Sequence, residues 1–191
     1  NGGAIATSWS SSDGSDIELK LELTDCSFVT NKAEGSTFYG LGSAIYGSLP
    51  LKATLKLVNT NFSNNDAAVA GTIFWSDTGT TSHLLTMDWQ GGTYINNVAS
   101  AGSVLYLGNL AASLGEVSIT LNGLTVNNPS EDITAFWINV PNTASVFVQD
   151  SLSTWMGPAL YMSSDGVTQL EFVHSTFMTS SLDLQLSSST G

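Results

Sequence analysis

A chain of 191 residues with sixteen acidic and four basic side chains, and no arginine, carries a formal charge of −12, although charged residues make up only 10% of it. Nothing here could neutralise a row of phosphates, which excludes nucleic acid, and the scattered carboxylates serve to keep a weakly charged surface solvated. A single cysteine excludes an internal disulfide and a zinc pattern, and the longest apolar stretch, residues 67–75, is too short to cross a bilayer.

In chain order, the first element is "NGGAI", where small Ala4 precedes apolar Ile5; the alternating "IELKLEL" follows with Leu21 and Leu23, and then "FVTN" from Phe28 to Asn31. The same three phrases return in step. The second copy has Ala44-Ile45, Leu55 and Leu57, and "FSNN" from Phe62 to Asn65. The third has Thr72-Ile73, Met87 and Trp89, and "YINN" from Tyr94 to Asn97. The fourth reads Ser103-Val104, Val117 and Ile119, and "LTVN" from Leu124 to Asn127. The fifth reads Ala135-Phe136, Ser145 and Phe147, and "LSTW" from Leu152 to Trp155. The sixth reads Ala159-Leu160, Leu170 and Phe172, and "FMTS" from Phe177 to Ser180. Successive anchors, Phe28 to Phe177, lie 34, 32, 30, 28 and 25 residues apart.

The period-two alternation marks strands with one covered face, and no segment keeps a helical period. A unit of about 30 residues made of short strands cannot bury its apolar face alone and must stack on its neighbours. The sequence therefore predicts an all-β fold, a right-handed parallel β-helix (solenoid) of about six coils, with residues 1–191 as one domain. Because "NGGAI" starts in mid-pattern and "LDLQL" (Leu182 to Leu186) still alternates, both ends are expected to be covered by more protein. The domain would then be a segment of a longer solenoid or a repeating fibre subunit.

Stacked copies place Asn31, Asn65, Asn97 and Asn127 in one column, an expected amide ladder along the stack. They also place two apolar columns side by side: Ile5, Ile45, Ile73, Val104, Phe136 and Leu160, then Ala6, Tyr46, Phe74, Leu105, Trp137 and Tyr161. Neighbouring strand residues face opposite ways, so only one column can be core. The aliphatic column is assigned inward. Tyr46, Phe74, Leu105, Trp137 and Tyr161 then form an outward strip for another protein chain or a glycan, unless loops such as residues 6–16 or 32–41 fold over it.

The paired motifs "GGAI" and "FxxN", as in "NGGAI", "FVTN" and "FSNN", resemble the repeats of chlamydial polymorphic membrane proteins and similar surface adhesins, found also in large proteins of microbial eukaryotes. The first two copies match well, the third and fourth keep part of the pattern, and the last two lose the Asn, at Trp155 and Ser180. The resemblance implies a right-handed β-helix on a cell surface, used for adhesion or structure, and brings no catalytic residues with it.

Other motifs read as structure. "SDTG" (Ser76 to Gly79) lacks the second carboxylate that an aspartic protease needs, and "SSDG", at 11–14 and at Ser163 to Gly166, is a turn signal. His83 and His174 have no nearby acidic partner in sequence and no nucleophile motif supports them. Cys26 reads as a small packed thiol, and Trp89 as core; Trp9 and Trp75 could hold sugar rings. Asn61, in "NFS", sits beside inward Phe62 and should point out, where it could carry an N-linked glycan in a eukaryotic source. Lyases built on β-helices use a basic residue beside calcium-binding acids, and neither recurs in a column here. The expected function is a non-enzymatic extracellular or cell-surface module that binds other chains or glycans, with no cofactor and no metal. The alternative is a carbohydrate-binding or polysaccharide-degrading β-helix module.

Overall fold

Lys52–Val58 shows why these segments become strands: Ala53, Leu55 and Leu57 are buried, while Thr54, Lys56 and Val58 between them reach solvent. Alternation of this kind suits a sheet with one face on the core. A computed structural model describes residues 4–7, 18–34, 41–48, 52–76, 84–101, 104–108, 116–128, 136–140, 143–155, 160–164 and 168–178. Among these residues the protein is all-β, with no helix.

Three sheets of six strands are stacked from successive copies of the repeat. The first contains Ile5–Thr7, Ile45–Ser48, Ile73–Ser76, Leu105–Gly108, Phe136–Val140 and Leu160–Ser164. The second contains Glu18–Thr24, Lys52–Val58, Leu84–Gln90, Glu116–Asn122, Thr143–Gln149 and Thr168–Val173. The third contains Ser27–Val29, Asn61–Ser63, Thr93–Ile95, Thr125–Asn128, Leu152–Trp155 and Thr176–Met178. A fourth, of three strands, joins Lys32–Ala33, Asp66–Ala70 and Val98–Ala101, and was not foreseen in the sequence. Each strand pairs in parallel with its equivalents in the adjoining copies, as Leu21, Leu55, Met87 and Ile119 do in one row.

The corner between the second and third sheets fixes this register. Asp25, Asn59, Gly91, Gly123, Asp150 and His174 all have positive φ, between 47° and 67°. Asp, Asn and Gly tolerate that left-handed turn best. The amides of the first five donate to the next copy, as Asp25 N does to Val58 O at 2.9 Å and Gly91 N to Asn122 O at 2.7 Å. Counting three places from the corner gives Phe28, Phe62, Tyr94, Val126, Ser153 and Phe177, which are register partners in the third sheet. Val126 and Ser153 therefore replace Leu124 and Leu152 as the anchors. Leu124 instead turns inward at the corner itself, where it is buried.

The correction carries upstream. In the second sheet the fourth copy contributes Ile119 and Leu121, not Val117 and Ile119, and the fifth contributes Val146 and Val148, not Ser145 and Phe147. Phe147 pairs with Glu171 on the outer side and is half-exposed. With the corner as origin, every member of these two rows is apolar, and Ser145 falls outside them.

The core runs between the sheets. Phe28 and Phe62 stack with centroids 5.0 Å apart and planes 8° from parallel, and Trp89 meets Phe62 edge-on at 5.4 Å. Trp89 is wholly buried, which makes it packing and not a sugar platform. Cys26 is partly buried against the same cluster, its thiol 3.3 Å from Thr24 O. Full burial of side chains such as Leu55, Leu57 and Ile73 contributes about 1.5–3 kcal/mol each.

Candidate functional site

The amide column begins with the short strand Asn61–Ser63, after which Asn64 turns left-handed and Asn65 points back into the core. Asn65 Nδ2 donates to Asn97 Oδ1 at 2.7 Å and to Phe28 O at 3.0 Å. Its Oδ1 accepts from Asn31 N at 3.0 Å and from Asn31 Nδ2 at 2.8 Å. Asn97 repeats the arrangement, accepting from Asn65 N at 2.9 Å and donating to Phe62 O at 3.0 Å. Asn65 and Asn97 are fully buried, so these bonds satisfy groups that water cannot reach. The column is a structural device.

Asn127 does not belong to it. It pairs with Ile95 in the third sheet, is exposed, and offers its backbone carbonyl to Asn96 N at 3.0 Å. The ladder position is the sixth residue after each corner, which gives Asn31, Asn65 and Asn97 and then Pro129, a residue with no amide side chain, outside the described residues.

The outward strip needs one similar change. In the first sheet Ile5, Ile45, Ile73, Leu105 and Phe136 are register partners, and Leu105 is fully buried. Leu105 is core. The slip arises because Val104, not a small residue, fills the position of Ala44 and Thr72: Ile73 N bonds Val104 O just as Ile5 N bonds Ala44 O. The second row is therefore Ala6, Tyr46, Phe74, Tyr106, Trp137 and Tyr161. Tyr46 and Tyr106 are half-buried on the side away from Ile45 and Leu105. Phe74, Trp137 and Tyr161 are placed in this row by backbone register, their side chains lying outside what is described. Tyr106 was missed in the sequence for want of a fixed origin in this sheet.

Asn61 lies on the outer side of the third sheet but is engaged there: its Oδ1 accepts from Thr93 N at 2.9 Å and Thr93 Oγ1 at 2.8 Å. Its Nδ2, the atom to which a glycan would be joined, makes a long 3.5 Å bond to Asn59 O.

Among the described residues, the charged groups sit mostly on the second sheet. Lys56 lies 2.9 Å from Glu22, Lys52 3.7 Å and Lys20 3.4 Å from Glu18, and Lys32 2.8 Å from Glu34, so each of the four lysines is matched to a carboxylate. The hydrogen bond from Lys56 to Glu22, with Asp88 adding attraction, raises the lysine pKa. The Lys32–Glu34 pair raises the lysine and lowers the carboxyl, again mainly through the hydrogen bond between them. His174 stands 3.5 Å from Asp150, an acidic partner supplied by the neighbouring copy. The hydroxyls next to them face the backbone: Ser151 Oγ donates to Gln149 O and Ser175 Oγ to Val173 O. No group of three or more metal-ligating side chains occurs among the described residues. His83, Trp9, the first "SSDG" turn and the last residues of "SDTG" and of the second "SSDG" fall outside them.

No family model, curated protein or solved structure matches the chain.

Proposed function

We propose that the chain forms a right-handed parallel β-solenoid that acts as an extracellular structural or adhesive module, in the manner of the surface proteins its "GGAI" and "FxxN" phrases resemble. The observation that carries this reading is the cyclic order of the sheets: the chain passes from first to second to third and back, always in parallel and always in register with the copy before. Parallel crossovers of this kind wind right-handed. A scaffold so regular presents its outer rows at fixed spacing, about 4.8 Å between copies.

The binding surface in this reading is the row Tyr46, Phe74, Tyr106, Trp137 and Tyr161, its partner another protein chain or a neutral glycan. The pairing of every lysine with a glutamate favours such a partner over an anionic one. It also speaks for a non-catalytic module, since an unpaired lysine is what β-elimination from an acidic sugar would use as its base.

Changing Tyr46, Tyr106 and Trp137 together to Ser tests the assignment. The expected result is an unchanged β-sheet circular dichroism spectrum with self-association or glycan-array binding lost. Retained binding by a folded triple variant would overturn it.

A further inference from the structure

Asn122-Gly123 joins the second sheet to its corner, and this dipeptide has a chemistry that neither the fold nor the proposed surface uses. In an open chain the Gly amide nitrogen attacks the Asn side-chain carbonyl readily, because glycine has no Cβ to obstruct the approach and ranges widely in φ. The N–Cγ bond forms, the Cγ–NH2 bond breaks and ammonia leaves with the amide proton. One water then opens the succinimide, at either carbonyl, to aspartate or isoaspartate.

Three features of the fold oppose that attack. Gly123 N is the required nucleophile, and it donates to Gln149 O at 3.0 Å in the next copy. Asn122 is held in a strand between Gln90 and Gln149, where its side chain stands off the sheet while the following amide lies in the ladder. Its own carbonyl accepts from Gly91 N at 2.7 Å, fixing the peptide on the other side. Attack requires both ladder bonds of this peptide to be given up.

We propose that Asn122 is a latent deamidation site whose reaction rate is set by the opening of the stack between the third, fourth and fifth copies. The isoaspartate product adds a methylene to the backbone and a carboxylate at the corner. Asn122 O and Gly123 N then cannot both return to their partners, and a transient opening becomes a permanent one.

The test compares the intact chain, folded and in urea at neutral pH, by peptide mapping and mass spectrometry of the segment containing Asn122. Deamidation should be slower in the folded chain by about tenfold or more, each factor of ten corresponding to about 1.4 kcal/mol of opening free energy. Leu121→Ala, which empties a buried site beside the peptide, should speed the reaction without urea. Sub-denaturing urea on the unaltered chain serves the same end should that variant fail to fold. Gly123→Asn, which copies Asn59 at the same corner, should slow the reaction in urea. Equal rates in folded and unfolded chains, or no response to Leu121→Ala or to mild urea, would overturn the proposal.

Discussion

Asn97 and Asn127 occupy the same place in their "xxxN" phrases, yet one is fully buried with its amide bonded to the adjoining copy and the other is exposed. Replacing Asn97 by Ala takes from the buried Asn65 backbone amide its Oδ1 acceptor and from the Phe62 carbonyl its Nδ2 donor, at a cost of about 1–3 kcal/mol. Replacing Asn127 should change stability by less than about 0.5 kcal/mol, as for an ordinary surface position. Urea unfolding midpoints of the two variants provide the check, and equal shifts would mean the ladder is not what holds this corner. The residue scale also shows where sequence reading falls short. An Asn looks alike whether it sits four or six places from a left-handed turn, and only the turn tells which way it faces.

Among the elements, strands and their stacking were legible because alternation and recurrence are both written directly in the residues, as in "ATLKLV" over Ala53 to Val58. The phase of the fourth and fifth copies was not. Leu124 stands where Thr60, Gly92 and Ser175 are found in other copies, and Leu152 where Asn61, Thr93 and Thr176 are, so a large apolar residue near this corner carries no information on phase. The constant feature is the positive-φ residue, which four chemical types supply: Asp25, Asn59, Gly91 and His174. Glycines at this corner also differ in what they require. A Cβ on Gly92, at φ +95°, would press into the Thr60 carbonyl oxygen and come within 2.9 Å of Thr60 N. A Cβ on Gly123 meets only Gly91 atoms at 3.8 Å. Gly123→Ala should therefore cost about 1–2 kcal/mol, the expense of a left-handed alanine, and Gly92→Ala clearly more, since backbone must also move. Thermal denaturation of both variants tests the order; a Gly92→Ala chain as stable as Gly123→Ala would contradict the close approach.

At the scale of the molecule, charge sets the conditions in which the stack is firm. The raised pKa of Lys32 and Lys56 means their pairs contribute fully below the ordinary lysine value of 10.5 and are lost as pH rises through the raised one. The lowered pKa of Glu34 means its contribution is present above 4.5 and disappears as pH falls through the depressed value. These groups are exposed, so each effect is small, but on the alkaline side loss of lysine charge also leaves sixteen carboxylates unopposed. The melting temperature should be flat across neutral pH and decline beyond both limits, with the alkaline decline weakened by added salt. A midpoint still level above the lysine range would show that the Glu22–Lys56 and Lys32–Glu34 pairs do not contribute.

The ladder bonds joining one copy to the next lie along the stacking direction, some donated forward, as from Asp25 N to Val58 O, and others backward, as from Asn61 N to Cys26 O. A force applied along that direction would meet the copies in series, the sheets standing side by side, and would strain the ladder bonds in opening and not in shear, so that copies should detach one after another instead of all at once. With ladder partners 34 residues apart in the first two copies, each detachment releases chain on the order of 100 Å long. A stack of this kind would lengthen in steps under tension while its remaining copies stay folded.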